Sequence, residues 1–223
     1  TARRNLGGFG VQTSALAFGG YTDPTTGATE SWDNSSWTEV SDLNSVRGGV
    51  GGAGVSNSSG ICFGGNPTPR ALTESWNGSS WTEVNDLNTA RQNLAGAGTA
   101  TSAIASGGGT PTITAESESW NGTSWSTIAE LNTARSATQG ASADNASFLT
   151  YGGETPPGAQ SGATEFYDGS SWTEVADLAA GRSGAGASGS SLSALCFGSP
   201  STSGQTEEFT AATITDTIKN EGQ

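Results

Sequence analysis

The chain has 223 residues, enough for one domain with a real core, and its 8 basic against 21 acidic residues leave a net charge of −13. Such a surface repels phosphate backbones, so no nucleic acid is expected as a partner. With no apolar run near the ~20 residues of a spanning helix and no basic-then-apolar opening, no membrane insertion and no signal peptide are read; with no histidine and only Cys62 and Cys196, no metal or other cofactor is expected.

The chain opens on Thr1-Ala2-Arg3, the same words that stand at 89–91 and 133–135. That opening, without methionine, leads us to expect a start cut by processing or trimming from something longer. From there a period runs through the sequence, and it is read first because repeats are misjudged one segment at a time. Arg3, Arg47, Arg91 and Arg135 are spaced by 44 residues and Arg182 follows after 47, the extra three falling in the 154–163 loop. Aromatic pairs keep the same beat, each five apart: Trp32 with Trp37, Trp76 with Trp81, Trp120 with Trp125, Tyr167 with Trp172, and a degraded Phe209 with Ile214. A composition this rich in Gly, Ser, Thr and Asn would read as disorder without seven tryptophans at regular places.

Each unit separates into four short segments, too short for helices and bounded by turn residues, hence strands. The first is glycine-rich, as at Gly7 to Val11, with small residues recurring at Gly8, Gly52, Gly96, Gly140 and Ala187 and at Gly10, Gly54, Gly98, Ser142 and Gly189. Strands converging on one axis would require such side chains. The second is apolar and closes on a glycine pair, as in Ile61-Cys62-Phe63-Gly64-Gly65. The third, as in Thr73-Glu74-Ser75-Trp76, turns through Asn77-Gly78-Ser79-Ser80 into the fourth, Trp81-Thr82-Glu83-Val84; an Asn-Gly turn is expected to place both residues at positive φ. Four antiparallel strands per unit make one blade. The fold class is therefore all-β, a single five-bladed β-propeller over residues 1–223, with blades at about 1–44, 45–88, 89–132, 133–179 and 180–218 and a tail at 219–223. Closing the ring would remove sheet edges, with side-chain packing alone at the seam between the first and fifth blades and the last unit acting as a terminal cap.

Phe63-Gly64-Gly65, Glu74-Ser75-Trp76, Trp81 and Asp86-Leu87-Asn88-Thr89-Ala90-Arg91 together resemble the kelch repeat over nearly the whole chain. Trp stands where kelch repeats usually carry Tyr, and five blades depart from the family's more usual six or seven. The resemblance brings a copper-oxidase precedent whose metal site uses histidine and tyrosine. This chain has no histidine and three tyrosines, so that chemistry is rejected.

Two readings attend each repeated feature. The paired aromatics could stack on sugar rings, but one ring at the same point of every blade is what packing between blades demands. The arginine column Arg3, Arg47, Arg91, Arg135 and Arg182 could line one mouth of the ring and hold an anion. Pairing with the repeated acids Glu30, Glu74, Glu118, Glu165 and Glu207 is preferred in a chain this acidic. The loops 21–27, 66–72, 109–115, 154–163 and 199–205 vary in length and sequence and should share one face with the linkers, opposite the nearly constant turns. They carry the candidate partner residues Tyr21, Asp23, Arg70, Thr112, Glu154 and Gln160, since variable loops on a rigid scaffold are where recognition sits; unconstrained drift explains them equally well. Cys62 and Cys196 lie in non-adjacent units, which speaks against a disulfide. Asn34, Asn57, Asn77, Asn121 and Asn145 begin glycosylation sequons, three of them in turns that want Asn for its backbone.

The functional expectation is a non-enzymatic binding module, extracellular or on a virion surface, that engages a carbohydrate or protein. A fold-level analogy with lectins and with appendage and phage structural proteins supports it. Against it stand a passive ring touching only neighbouring virion or appendage subunits and, less favoured, a carboxylate enzyme, for which no convergent acid pair is visible.

Overall fold

The computed structural model describes residues 1–67, 71–109, 111–199 and 204–211. The first sheet runs β1 (Gly7–Val11), β2 (Ser14–Phe18), β3 (Thr29–Trp32), β4 (Trp37–Val40), and the second β5 (Gly51–Ser56), β6 (Ser59–Phe63), β7 (Thr73–Trp76), β8 (Trp81–Val84). The third follows with β9 (Ala95–Gly98), β10 (Ala103–Ser106), β11 (Ser117–Trp120), β12 (Trp125–Thr127). In the fourth, β13 (Gln139–Ala141) and β14 (Phe148–Tyr151) are followed by a small hairpin of β15 (Glu154–Thr155) and β16 (Ala159–Gln160) before β17 (Thr164–Tyr167) and β18 (Trp172–Glu174) complete the sheet. The hairpin absorbs the three extra residues of that unit. The fifth has β19 (Gly186–Ser190), β20 (Ser193–Phe197) and β21 (Thr206–Thr210), and the place of its fourth strand, with Ile214, lies outside the described residues, as does the tail.

Every neighbouring pair within a sheet is antiparallel, and the sheets are the five blades of a β-propeller. The aromatic partners face each other across the outer hairpin: Trp32 opposite Trp37, Trp76 opposite Trp81, Trp120 opposite Trp125, Tyr167 opposite Trp172. In the outer turn only the second residue takes positive φ, Gly78 at 95° and its counterpart Asn34 at 77°. Asn77 acts through its side chain instead, accepting the backbone N–H of Ser79 and Ser80 at 2.9 Å.

The core lies between blades. Leu16 and Phe18 of blade 1 pack with Val50, Cys62, Trp76 and Trp81 of blade 2. Blade 2 meets blade 3 through Ile61, Phe63, Trp120 and Trp125, blade 3 meets blade 4 through Ala95, Ile104, Phe148 and Trp172, and blade 4 meets blade 5 through Leu149, Tyr151, Ala194 and Cys196. The inner-strand glycines have a double reason. A Cβ on Gly96 would stand 2.9 Å from the backbone of Gly52 and 2.5 Å from the Phe63 ring, and one on Gly52 would stand 2.7 Å from Phe18. Strand convergence is thus only part of the cause, and the aromatic ring of the preceding blade supplies the rest.

Inner strands pack in sequence, β1 on β5, β5 on β9, β9 on β13 and β13 on β19. Among the described residues β19 and β1 do not pack to a comparable extent, and both are more exposed than β5 and β9 between them.

Candidate functional site

The arginine column is built into the scaffold. Arg47, Arg91 and Arg135 place Nη2 at 2.9, 2.8 and 2.8 Å from Glu74, Glu118 and Glu165, with all six side chains almost wholly buried. Arg3 pairs with Glu30 at 3.0 Å, and Arg182 pairs with Glu207. The second guanidinium nitrogen donates to two carbonyls, those of Gly64 and Leu72 for Arg47 and of Gly107 and Glu116 for Arg91. Each glutamate also accepts backbone N–H groups of the linker, as Glu118 does from Asn88 and Thr89. Burial lowers the pKa of Arg91 and Arg135, opposed by Glu118 and Glu165. The five arginines therefore join strand, loop and linker inside the blades, and present no row of free cations at a mouth.

Linkers and second-to-third-strand loops share one face. Leu43 N–H donates to Gly27 O, Arg47 N–H to Thr26 O and Gly20 N–H to Arg47 O. On that face the residue after each column arginine bridges the residue after each glycine pair: Arg4 with Tyr21, Gly48 with Asn66, Gln92 with Gly109, Ser136 with Glu154. These positions differ from unit to unit while their neighbours repeat.

Side chains connect them across blades. The Tyr21 hydroxyl donates to Asn66 Oδ1, and Asn66 Nδ2 donates to Gln92 Oε1 at 2.6 Å. The Tyr21 ring lies over Gly48, where a Cβ would come within 2.4 Å, and the Arg4 guanidinium stands 5.7 Å from the ring centroid. Further round, Ser183 Oγ donates to Glu154 Oε1 at 2.8 Å. Phenol, amides and guanidinium thus form a partly exposed arc of donors and acceptors around the Tyr21 ring, while Glu154 and Ser183 make a separate pair in the matching register of blades 4 and 5.

Of the residues singled out from the sequence, Glu154 stands in the separate pair with Ser183 and Tyr21 in this arc. Asp23 is exposed beside it, 3.6 Å from Arg4; Thr112 and Gln160 are exposed on neighbouring loops; Arg70 lies outside the described residues. Sequence reasoning had Asn66 only as the first residue of a variable loop and passed over Arg4, Gln92 and Ser183. Their signal was variation at a fixed register beside constant residues.

Elsewhere, a hollow of about 180 Å³ between blades 4 and 5 is lined by Tyr151, Thr164, Leu178 and Cys196. Trp81 occupies the matching place between blades 1 and 2, beside Phe18 and Thr29, and its counterpart in blade 5, position 214, lies outside the described residues. Cys62 and Cys196 are free and buried, and burial pushes the Cys62 thiol up to about 12. Among the described residues no group of three or more Cys, Asp or Glu could hold a metal ion, and no helix is long and apolar enough to cross a membrane. No protein-family model and no curated protein matches the chain.

Proposed function

We propose that this protein is a kelch-like binding module, non-enzymatic and displayed on a virion or cell-surface appendage, that takes a carbohydrate or protein surface on its loop face. The observation that carries the reading is the arc of Tyr21, Asn66, Gln92 and Arg4, unlike from blade to blade, on a scaffold whose column arginines are all paired internally. Hydroxyl-rich ligands need closely spaced donors and acceptors beside an apolar ring face, and this arc supplies both. A net charge of −13 favours neutral or cationic ligands over polyanions.

A glycan array combined with binding to whole cells tests it. The wild-type protein should give a small set of related hits that Tyr21→Ala and Gln92→Ala each weaken at least tenfold without a change in melting temperature. An empty array together with no cell binding would contradict it. The second reading, a structural ring that contacts only its neighbours, draws on the exposed faces of the first and last blades.

A further inference from the structure

Four of the large apolar residues left in solvent belong to two faces that are buried everywhere else in the molecule. Trp37 is 51 % exposed and Leu6 42 %, although Trp81, Trp125, Trp172 and Val50 at the matching positions are 8 % or less. On blade 5, Leu195 is 41 % exposed and Phe197 44 %, where Leu16, Ile61, Ile104 and Leu149, and likewise Phe18 and Phe63, are at most 1 %. Blade 1 thus shows the face that each later blade turns to its predecessor, and blade 5 the face that each earlier blade turns to its successor.

These faces are complementary by the molecule's own precedent. Trp81 packs edge-on against Phe18 at 5.1 Å and donates its indole N–H to Thr29 Oγ1 at 3.2 Å; Trp125 does the same with Phe63 at 4.8 Å and Thr73 at 3.1 Å. Blade 5 carries Phe197 and Thr206 at those two positions, both accessible, and Trp37 of blade 1 makes no such bond to a described residue. Over Gly8, the counterpart of Gly52 and Gly96, no aromatic ring lies within 4 Å, whereas Phe18 and Phe63 cover the other two.

We propose that the seam is a self-association surface: blade 1 of one copy docks on blade 5 of a second copy, Trp37 against Phe197 with its indole N–H on Thr206. The contact is head-to-tail, so each copy keeps one unused face and growth continues until a ring closes or a filament forms. It stands independently of what the loop face binds. Because both partners carry −13, association should strengthen as salt screens their repulsion.

Sedimentation velocity across a hundredfold concentration range decides the matter. The wild-type protein should move from the 22.2 kDa species to a ladder of multiples. Trp37→Glu and Phe197→Glu should each stay monomeric with unchanged circular dichroism, while an equimolar mixture of the two should give a dimer and nothing larger, since each variant retains the face the other lacks. If either fails to fold, Leu6→Glu and Leu195→Glu pose the same pair of questions. A wild-type protein that stays monomeric at every concentration and salt overturns the proposal, whether Trp37 is then exposed or covered by blade 5 of its own chain. A mixture of the two variants that stays monomeric overturns it equally.

Discussion

Arg91 and Glu118, 27 residues apart, meet at 2.8 Å with both side chains out of solvent, and the same carboxylate accepts the Asn88 N–H at 2.7 Å. One glutamate thus fastens the chain entering blade 3 to that blade's third strand. The relationship recurs at Arg47 with Glu74 and at Arg135 with Glu165.

Removing one partner leaves the other charge buried and unpaired. Glu118→Gln should therefore cost about 3–5 kcal/mol of stability, read as a lower urea midpoint. The double replacement Arg91→Met, Glu118→Leu should cost less than the sum of its single changes, because no charge remains stranded.

The two ends of the aromatic series should respond unequally. Trp81→Ala empties a filled space beside Phe18 and should cost about 3–5 kcal/mol. Trp37, half in solvent and tilted against the Trp32 ring at 5.6 Å, should cost about 1 kcal/mol or less on truncation in dilute solution. Equal losses in urea titrations would mean that blades 1 and 5 pack like the rest.

Cys62 should resist alkylation. Its pKa is raised from 9.0 to about 12 by burial, so iodoacetamide at pH 8 should label it only after unfolding. Because the neutral form is favoured in the folded state, this stabilisation is complete below pH 9 and declines as pH rises toward 12. Labelling of the folded protein at the rate of a free thiol would contradict the packing between blades 1 and 2.

Asp168 caps its turn from a fully exposed position. The Ser171 backbone N–H, then the Ser170 hydroxyl and N–H, hold its carboxyl at about 2, below the usual 3.8. A lowered pKa stabilises the fold above pH 3.8, and the effect fades as pH falls through 2. Asp168→Asn should be neutral at pH 7, since Asn77 and Asn121 bind the same turn atoms, whereas Asp168→Ala should lower the melting temperature.

The blades were readable because signals at several levels agreed: the arginine period set the unit, Gly78 and its counterparts marked the outer turn, and glycine pairs ended the second strands. The arginine–glutamate pairing was also readable, both residues recurring in every unit. The arc of the loop face was not, because Asn66 and Gln92 acquire meaning only when adjacent blades bring them within 2.6 Å. Asn57 and Asn145 were similarly opaque. Read as sequons, they instead donate to the Trp32 and Trp120 carbonyls of the preceding blade at 3.0 Å. The seam was anticipated as a junction resting on side chains, but its exposure depends on how far each blade rotates from the last, a property of interfacial packing that no local pattern encodes.

Hydroxyl-radical footprinting of the tryptophans, read by mass spectrometry in dilute solution, tests most directly the claim that the core is built between successive blades and left open at one seam. The account predicts rapid oxidation of Trp37 and strong protection of Trp76, Trp81, Trp120, Trp125 and Trp172. Protection of Trp37 equal to that of Trp81 at the lowest concentration, or equal oxidation of all, would contradict it.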